Sequence, residues 1–234
     1  MPTQPRPPWE TRTNKPFRTP LSADRIVDAA LKVLVRDGYD AVSMRKVAQE
    51  LDTGAASLYA HVANKRELDS LMVDRVARDL EIPEPDPDRW QEQIAEVMRD
   101  RLAVMRAYPG VARAAIGNIP LGERSLEGSD RMLGILRAGG VPDQQAAYAV
   151  DLLSLYVCAV AFEETVRGAG EWTGEGIREW VDQLTGYFRG LPADRFPNVV
   201  ALASALTAGD GDDRFEFGVQ VIVAGLTSFV PHSS

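Results

Sequence analysis

"SMRKVAQELDTGAASLYAHVANKREL", residues 43–68, joins two short helical patterns through the breaker Asp52-Thr53-Gly54. Ser43 stands where an N-cap accepts from the first turn, and Val42 and Val47 are spaced as the apolar staple on either side of it, which predicts a helix over Met44–Leu51. After the break, Ala55–Val62 reads as a second short helix, and Asn64 followed by Glu67 opens another that runs through Leu68, Leu71, Met72 and Val76 until Pro83 ends it. Two short helices around a Gly-containing turn make a helix-turn-helix. Val47, Ala48, Leu51, Leu58 and Val62 form its inner face, while Ala55, Ala56 and Ala60 leave the outer face without bulk, so that the backbone can approach the floor of a major groove. Around them stand Arg45, Lys46, Tyr59, His61 and Lys65, the donor types that phosphates demand. Candidate DNA contacts are Ser43, Arg45, Ala55, Ala56, Ser57, Tyr59, His61 and Lys65. The spacing alone also admits a solvated pair of helices whose charges face only water.

Upstream, Ser22 caps Ala23–Arg36, Leu21 and Ile26 supply the staple, and Gly38 supplies the stop. Residues 1–20 hold six prolines and four Lys/Arg against one Glu, the composition of a disordered basic arm. The 234-residue chain has a net charge of −8, yet residues 1–66 carry 11 basic against 7 acidic residues, leaving −12 for residues 67–234. A locally basic segment on an acidic protein suits a polyanionic partner for that segment alone. Cys158 is the single cysteine, which excludes an intrachain disulfide and a cysteine-based zinc site and fits a reducing cytoplasm. The first twenty residues lack the apolar stretch of a secretory signal. Of the two most apolar runs, Ala146–Phe162 contains Asp151 and Ser154 and Phe217–Val230 is 14 residues long, so buried helices and no membrane partner are expected.

Beyond the loop at 81–88, helical patterns follow at about 88–107, 111–117, 121–138, 143–167, 174–189, 194–207 and 212–230. Neither strand patterns nor an internal repeat occur, and the fold class is all-α. In the last helix Phe215, Val219, Ile222, Leu226 and Phe229 follow the 4-3-4-3 spacing of a helix-packing seam, and Gly218, Val221 and Gly225 add a second stripe. A terminal helix apolar on two sides needs two partners, one of them a symmetry mate; burial wholly within one subunit is the alternative.

The stretch "GYDAVSMRKVAQELDTGAASLYAHVANKREL", residues 38–68, resembles the N-terminal DNA-binding domain of the tetracycline-repressor (TetR) family, and its "LYxHVxNKxxL" pattern is the specific part. A weaker likeness continues through "RWQEQIAEVMRDRLAVMRAYPG", "AAYAVDLLSLYVCAVAFEE" and "FEFGVQVIVAGLTSFV", so that it covers most of residues 22–230. The resemblance implies a helix-turn-helix three-helix domain at 21–68 and a larger helical ligand-binding and dimerisation domain at 69–234. It further implies a homodimer on a palindromic double-stranded DNA operator, released by a small-molecule effector. Arg45 resembles the family's base-reading arginine, suited to bidentate contact with guanine. Ser57, Tyr59, His61 and Lys65 fall where the family contacts phosphates or base edges. The chain departs from tetracycline repressors at Ala55, Ala56 and Ala60, where larger reading residues would stand.

An effector pocket walled by the helices at 88–167 is likewise implied, with Trp90, Met98, Leu102, Met105, Asn118, Met132, Tyr148, Leu152, Tyr156 and Phe162 as candidate lining. Methionines and aromatics at helical spacing are also ordinary core material. Asn118, Arg131, Asp151 and Glu163 are sharper markers, because polar groups on apolar helices need partners when buried. Tetracycline repressors hold a drug-bound magnesium through a histidine three residues before a threonine. Here "AIGN" puts Ala115 and Asn118 at those places, Glu163 alone remains of the acidic elements, and His61 and His232 lie elsewhere. Neither a metal nor another cofactor is expected, and the effector is expected to be largely apolar with a few polar handles. A regulator that binds DNA without an effector is the alternative. Motifs for a nucleophile elbow, a zinc helix or a phosphate loop are missing, and Cys158 sits mid-helix with no histidine near it in sequence, so catalysis is not expected.

Overall fold

The computed structural model describes residues 20–119, 121–168 and 175–231; the expected arm, apart from Pro20, and His232 lie outside the described residues. Local capping chemistry sets the first helices. In α1 (Ala23–Asp37) the Ser22 hydroxyl accepts from the Arg25 N–H at 3.3 Å, and Gly38, at φ 83°, donates its N–H to the Leu34 carbonyl. A short 3₁₀ turn, Tyr39–Ala41, leads to α2 (Met44–Glu50), where Ser43 accepts from the Lys46 N–H at 3.2 Å. Each such cap contributes about 1 kcal/mol. Asp52 takes the left-handed conformation, φ 49°, that lets the chain reverse; a short polar side chain tolerates it.

The third helix is shorter than its sequence pattern predicts. Regular geometry in α3 holds over Ala55–Leu58, and Tyr59–His61 continue as turns, with the Val62 N–H on the Leu58 carbonyl at 2.9 Å. Buried Leu58 and Val62 pin both ends of this turn. In α4 (Lys65–Ala77) the Asn64 amide oxygen accepts from the Glu67 N–H, and Glu67 reaches back to the Ala63 N–H. This helix stops at Ala77 rather than Ile82, because Arg78, Asp79 and Leu80 each bond to the carbonyl three residues back. Such bonds tighten and end a helix.

The remainder comprises α5 (Trp90–Ala107), α6 (Val111–Ala115), α7 (Glu123–Ala138), α8 (Asp143–Gly168), α9 (Glu175–Arg189), α10 (Pro197–Ala201), α11 (Ala203–Leu206) and α12 (Gly211–Thr227). The single helix expected over 194–207 is divided at Leu202 and begins late, since Pro192 folds back as a turn and Pro197 occupies a first-turn position that needs no N–H. An Asp210–Asp213 capping box starts α12. One apolar core runs from α1 to α12. By length and composition α8 is apolar enough to cross a bilayer. Its stripe Ala146, Ala149, Leu153, Val157 and Ala161 is instead buried, and the helix packs against α5, α6, α7 and α12.

The last helix turns the opposite way from the expected seam. Phe215, Val219 and Leu226 are buried and Ile222 half-buried within the subunit. Tyr156 stacks on Phe215 with ring centroids 5.6 Å apart, and a side chain at Gly218 would strike the Tyr156 ring. Phe217 and Val221, on the other side, face outward with Phe217 68% exposed. Of the seam residues only Phe229 is exposed.

Helix α4 ties the molecule together by packing on α1, α5, α6 and α7. At the same junction Gly110 sits at φ 94°, where an added Cβ would lie 3.3 Å from Leu34 Cδ1 and 3.4 Å from Tyr39 Cβ. Gly110→Ala is therefore expected to cost about 1–3 kcal/mol, from backbone strain and crowding together. Urea unfolding followed by circular dichroism checks this, and an unchanged midpoint would contradict the packing described.

Candidate nucleic-acid interface and ligand cavity

Side-chain partners decide which cations near the helix-turn-helix are available to a polyanion. Arg36 is held by Asp37 and Glu50, both at 2.9 Å, and Lys46 lies 3.3 Å from Asp37. Arg45, His61 and Arg66 are exposed and form no ion pair with other described residues. Arg45 lies on the outer side of the first turn of α2. Ala56, Ser57, Tyr59, Ala60 and His61 form an exposed surface along α3 and its turn, with Ala55 half-buried beneath. Ser43, also exposed, spends its hydroxyl on the cap. The structure thus leaves Arg45, Ala56, Ser57, Tyr59 and His61 exposed around the turn and adds exposed Arg66, whose signal in the sequence was its place beside Lys65 at the start of α4, whereas Ser43 and Lys65 have their polar groups bound within the protein.

Lys65 is engaged inside the protein. Its ammonium pairs with the Asp69 carboxylate and lies 4.3 Å from the centre of the Tyr39 ring, while the Tyr39 hydroxyl donates to the other Asp69 oxygen at 3.0 Å. Arg113 of α6 covers the same ring at 5.0 Å and pairs with Asp40 at 2.8 Å. Asp69 is buried, and these donors offset the cost of keeping its charge from water.

Below this junction lies a cavity of about 800 Å³, walled by Val73, Val76 and Ala77 of α4, Arg78, Leu80, Glu81 and Ile82 after it, Arg101, Val104 and Met105 of α5, Val111 and Ala115 of α6, residues of α7 from Arg124 to Met132, and Ser154 of α8. Ala115, which the resemblance sets at the magnesium-binding histidine, presents only a methyl group to it. A second cavity, about 890 Å³, lies between α1, α6 and α8, and its rim ends at Gly168, where the described residues stop.

Of the thirteen ligand candidates, Met105, Arg131 and Met132 line the first cavity. Trp90, Met98 and Leu102 are fully packed core residues, Trp90 lying against Gly139 where a side chain would strike its ring. The Asn118 amide donates to the Ala114 carbonyl of the preceding helix, α6, and is not cavity lining. Tyr148, Asp151 and Leu152 point outward from α8, Tyr148 being 69% exposed. The Tyr156 hydroxyl donates to the carbonyls of Arg214 and Phe215, both at 3.2 Å, and Phe162 lines the second cavity. Glu163 is exposed and paired with Arg167. Sequence reasoning missed Arg101, Ser125, Ser129 and Ser154, the cavity's polar wall.

A three-helix head with an exposed turn, set on a helical body that carries an open cavity, defines a helix-turn-helix transcriptional regulator with a ligand-binding domain. The family model for bacterial regulatory proteins of the tetR family matches residues 26–68, and that for the tetracyclin repressor-like C-terminal domain matches residues 82–230; the chain belongs to the TetR family. It is 34% identical over 228 residues to the HTH-type transcriptional repressor DrrR1 of Streptomyces coeruleorubidus, covering 95% of this chain and 84% of that protein. The crystal structure of the TetR family protein ActR from Streptomyces coelicolor in complex with actinorhodin superposes with a TM-score of 0.83 at 46% identity, over 92% of this chain and 100% of that one. The class D tetracycline repressor protein of Escherichia coli is 27% identical over 210 residues, 88% of this chain and 89% of that protein.

Two measurements probe this junction and interface. Arg45→Ala is expected to cost on the order of 1–3 kcal/mol of operator affinity and to relax preference at one base pair per half-site; unchanged affinity and preference in a binding-site selection would refute the groove geometry. Burial and the Asp69 carboxylate push the Tyr39 phenol from its ordinary 10.0 up to about 12. The folded protein therefore holds this proton where the unfolded chain has lost it, and stability falls as pH rises from 10.0 to about 12. Tyr39→Phe should flatten that alkaline loss in denaturation curves, and an identical slope would show that the phenol plays no part.

Proposed function

We propose that the protein is a homodimeric repressor whose residues 21–68 hold an operator half-site and whose residues 69–234 form the dimer and enclose a small, largely apolar effector that releases the DNA. The observation carrying this reading is the position of α4, whose start, Lys65, is locked to Tyr39 beside the reading head while its end, Val73–Ala77, is a wall of the cavity. Occupancy of the cavity displaces that wall, and the shift reaches the head through one rigid helix. Two heads must stand about 34–36 Å apart to meet successive major-groove faces, so a modest tilt of α4 spoils the match. ActR takes actinorhodin, and an organic molecule of that general kind suits a cavity with valine and methionine walls here. The role of the cavity is binding, not turnover, and the place of action is the cytoplasm.

The dimer surface is supported by two apolar stripes that stay exposed among the described residues. On α8, Tyr148, Leu152, Leu155 and Ala159 share one exposed face; on the adjacent α12, Phe217 and Val221 do so. Packed against their copies, these would form a four-helix seam. Leu155→Glu and Val221→Glu replace exposed residues and leave the subunit core intact, yet each would bury charges in the seam at a cost of several kcal/mol per dimer. Sedimentation should show monomers for both variants, and selection from random duplexes should return an inverted repeat for the wild type and none for the variants. A stable dimer in both variants would refute the seam, and a selected pool without an inverted repeat would refute dimeric operator binding.

A further inference from the structure

Three arginines project from α5, and they are treated differently. Arg99 makes two bonds to Glu216, at 2.6 and 2.8 Å, and Arg106 is held by Glu164 and Asp212. Arg101, on the cavity wall, has no carboxylate partner among the described residues; its guanidinium donates to the Ser154 hydroxyl at 2.9 Å, and Ser154 lines the same cavity. Arg101 is partly buried and lines the cavity. Burial lowers its pKa, and Cys158 nearby is no counterion because burial raises its own pKa and keeps the thiol neutral. A guanidinium stays charged in proteins, so the desolvation it suffers here is uncompensated.

The other charged groups of the cavity do not offset it. Arg78 lies 4.0 Å from Asp24, Arg124 is paired with Glu127 at 2.7 Å and Arg131 with Glu84 at 2.6 Å, all of them exposed. Glu81 also lines the cavity, but it is exposed to water and pairs with none of these arginines. The cavity lining therefore includes one desolvated positive charge bonded to a hydroxyl, along with the apolar side chains of Val104, Met105 and Met132.

We propose that the effector carries a carboxylate or an equally acidic oxygen on a mainly apolar frame, and that Arg101 and Ser154 receive this oxyanion. The proposal rests on the reading of this cavity as the effector site. An oxyanion accepts the guanidinium's free N–H groups in the paired geometry that makes such bonds strong, and it removes the uncompensated charge. The apolar walls take up the remaining frame.

Fluorescence titration with 1-pyrenebutyrate and its uncharged amide, 1-pyrenebutyramide, separates the two levels of the argument. Wild-type protein is expected to hold the acid at least about tenfold more tightly than the amide, as a charge-assisted pair requires. Arg101→Met should bring the acid down to the amide's affinity and leave the amide unchanged, while Arg101→Lys keeps part of the preference. Ser154→Ala, which leaves the arginine in place, should weaken the acid alone by about fivefold. Ser129→Trp, filling the cavity, should abolish binding of both probes. Equal affinity of acid and amide in the wild type, with both lost in Ser129→Trp, overturns the anion proposal and leaves the cavity reading intact. A preference surviving in Arg101→Met overturns the assignment to Arg101. Failure of both probes to bind the wild type, or binding of both undiminished in Ser129→Trp, overturns the cavity reading itself.

Discussion

Asp69 keeps its carboxylate out of water because Tyr39 and Lys65 both donate to it, and those three residues come from the two sides of the junction between head and body. Removing one partner from a buried charge costs far more than an exposed ion pair contributes, so the junction resists gradual loosening. Arg113 closes the same cluster from α6, covering the Tyr39 ring and pairing with Asp40. Helix α4 is thereby fixed at its start by polar contacts and along its length by Leu68, Met72 and Val76. One helix thus spans the distance from the junction beside the head to the wall of the cavity.

The parts legible in the sequence were those with local causes. Ser22, Ser43 and Asn64 cap their helices through bonds to an N–H three residues away, and spacing of that kind is visible in a string of letters. The exposed side of the helix-turn-helix was legible for the same reason, since Leu58 and Val62 define the inner side of a short segment. Faces of α8 and α12 were not. Both helices are apolar nearly all round, so the repeat through Phe215, Val219, Ile222 and Leu226 marks a packed face without saying whether the packing partner belongs to the same subunit. Tyr148 and Leu152 were drawn toward the cavity, and Val221 was ranked below the seam, by that ambiguity.

The cavity's polar wall was illegible for a different reason. Arg101 and Ser154 are 53 positions apart, and in sequence Arg101 is one of several arginines on an acidic-basic helix. Its distinction comes from which neighbours lack a carboxylate, a property of the folded arrangement. Asn118 shows the converse: a polar residue that looked conspicuous in sequence is satisfied by the Ala114 carbonyl of α6.

Helix α8 offers Ser154 to the cavity and Leu152 and Leu155 to the outside, within four residues of one another. If the outward stripe meets a second subunit, cavity occupancy and subunit association draw on the packing of one rigid element. Mass action then makes the response depend on abundance: with few copies in the cell, part of the population is unassociated, and the effector level needed for half-release shifts with protein level. A sensor built in this way reports its own concentration together with that of its ligand.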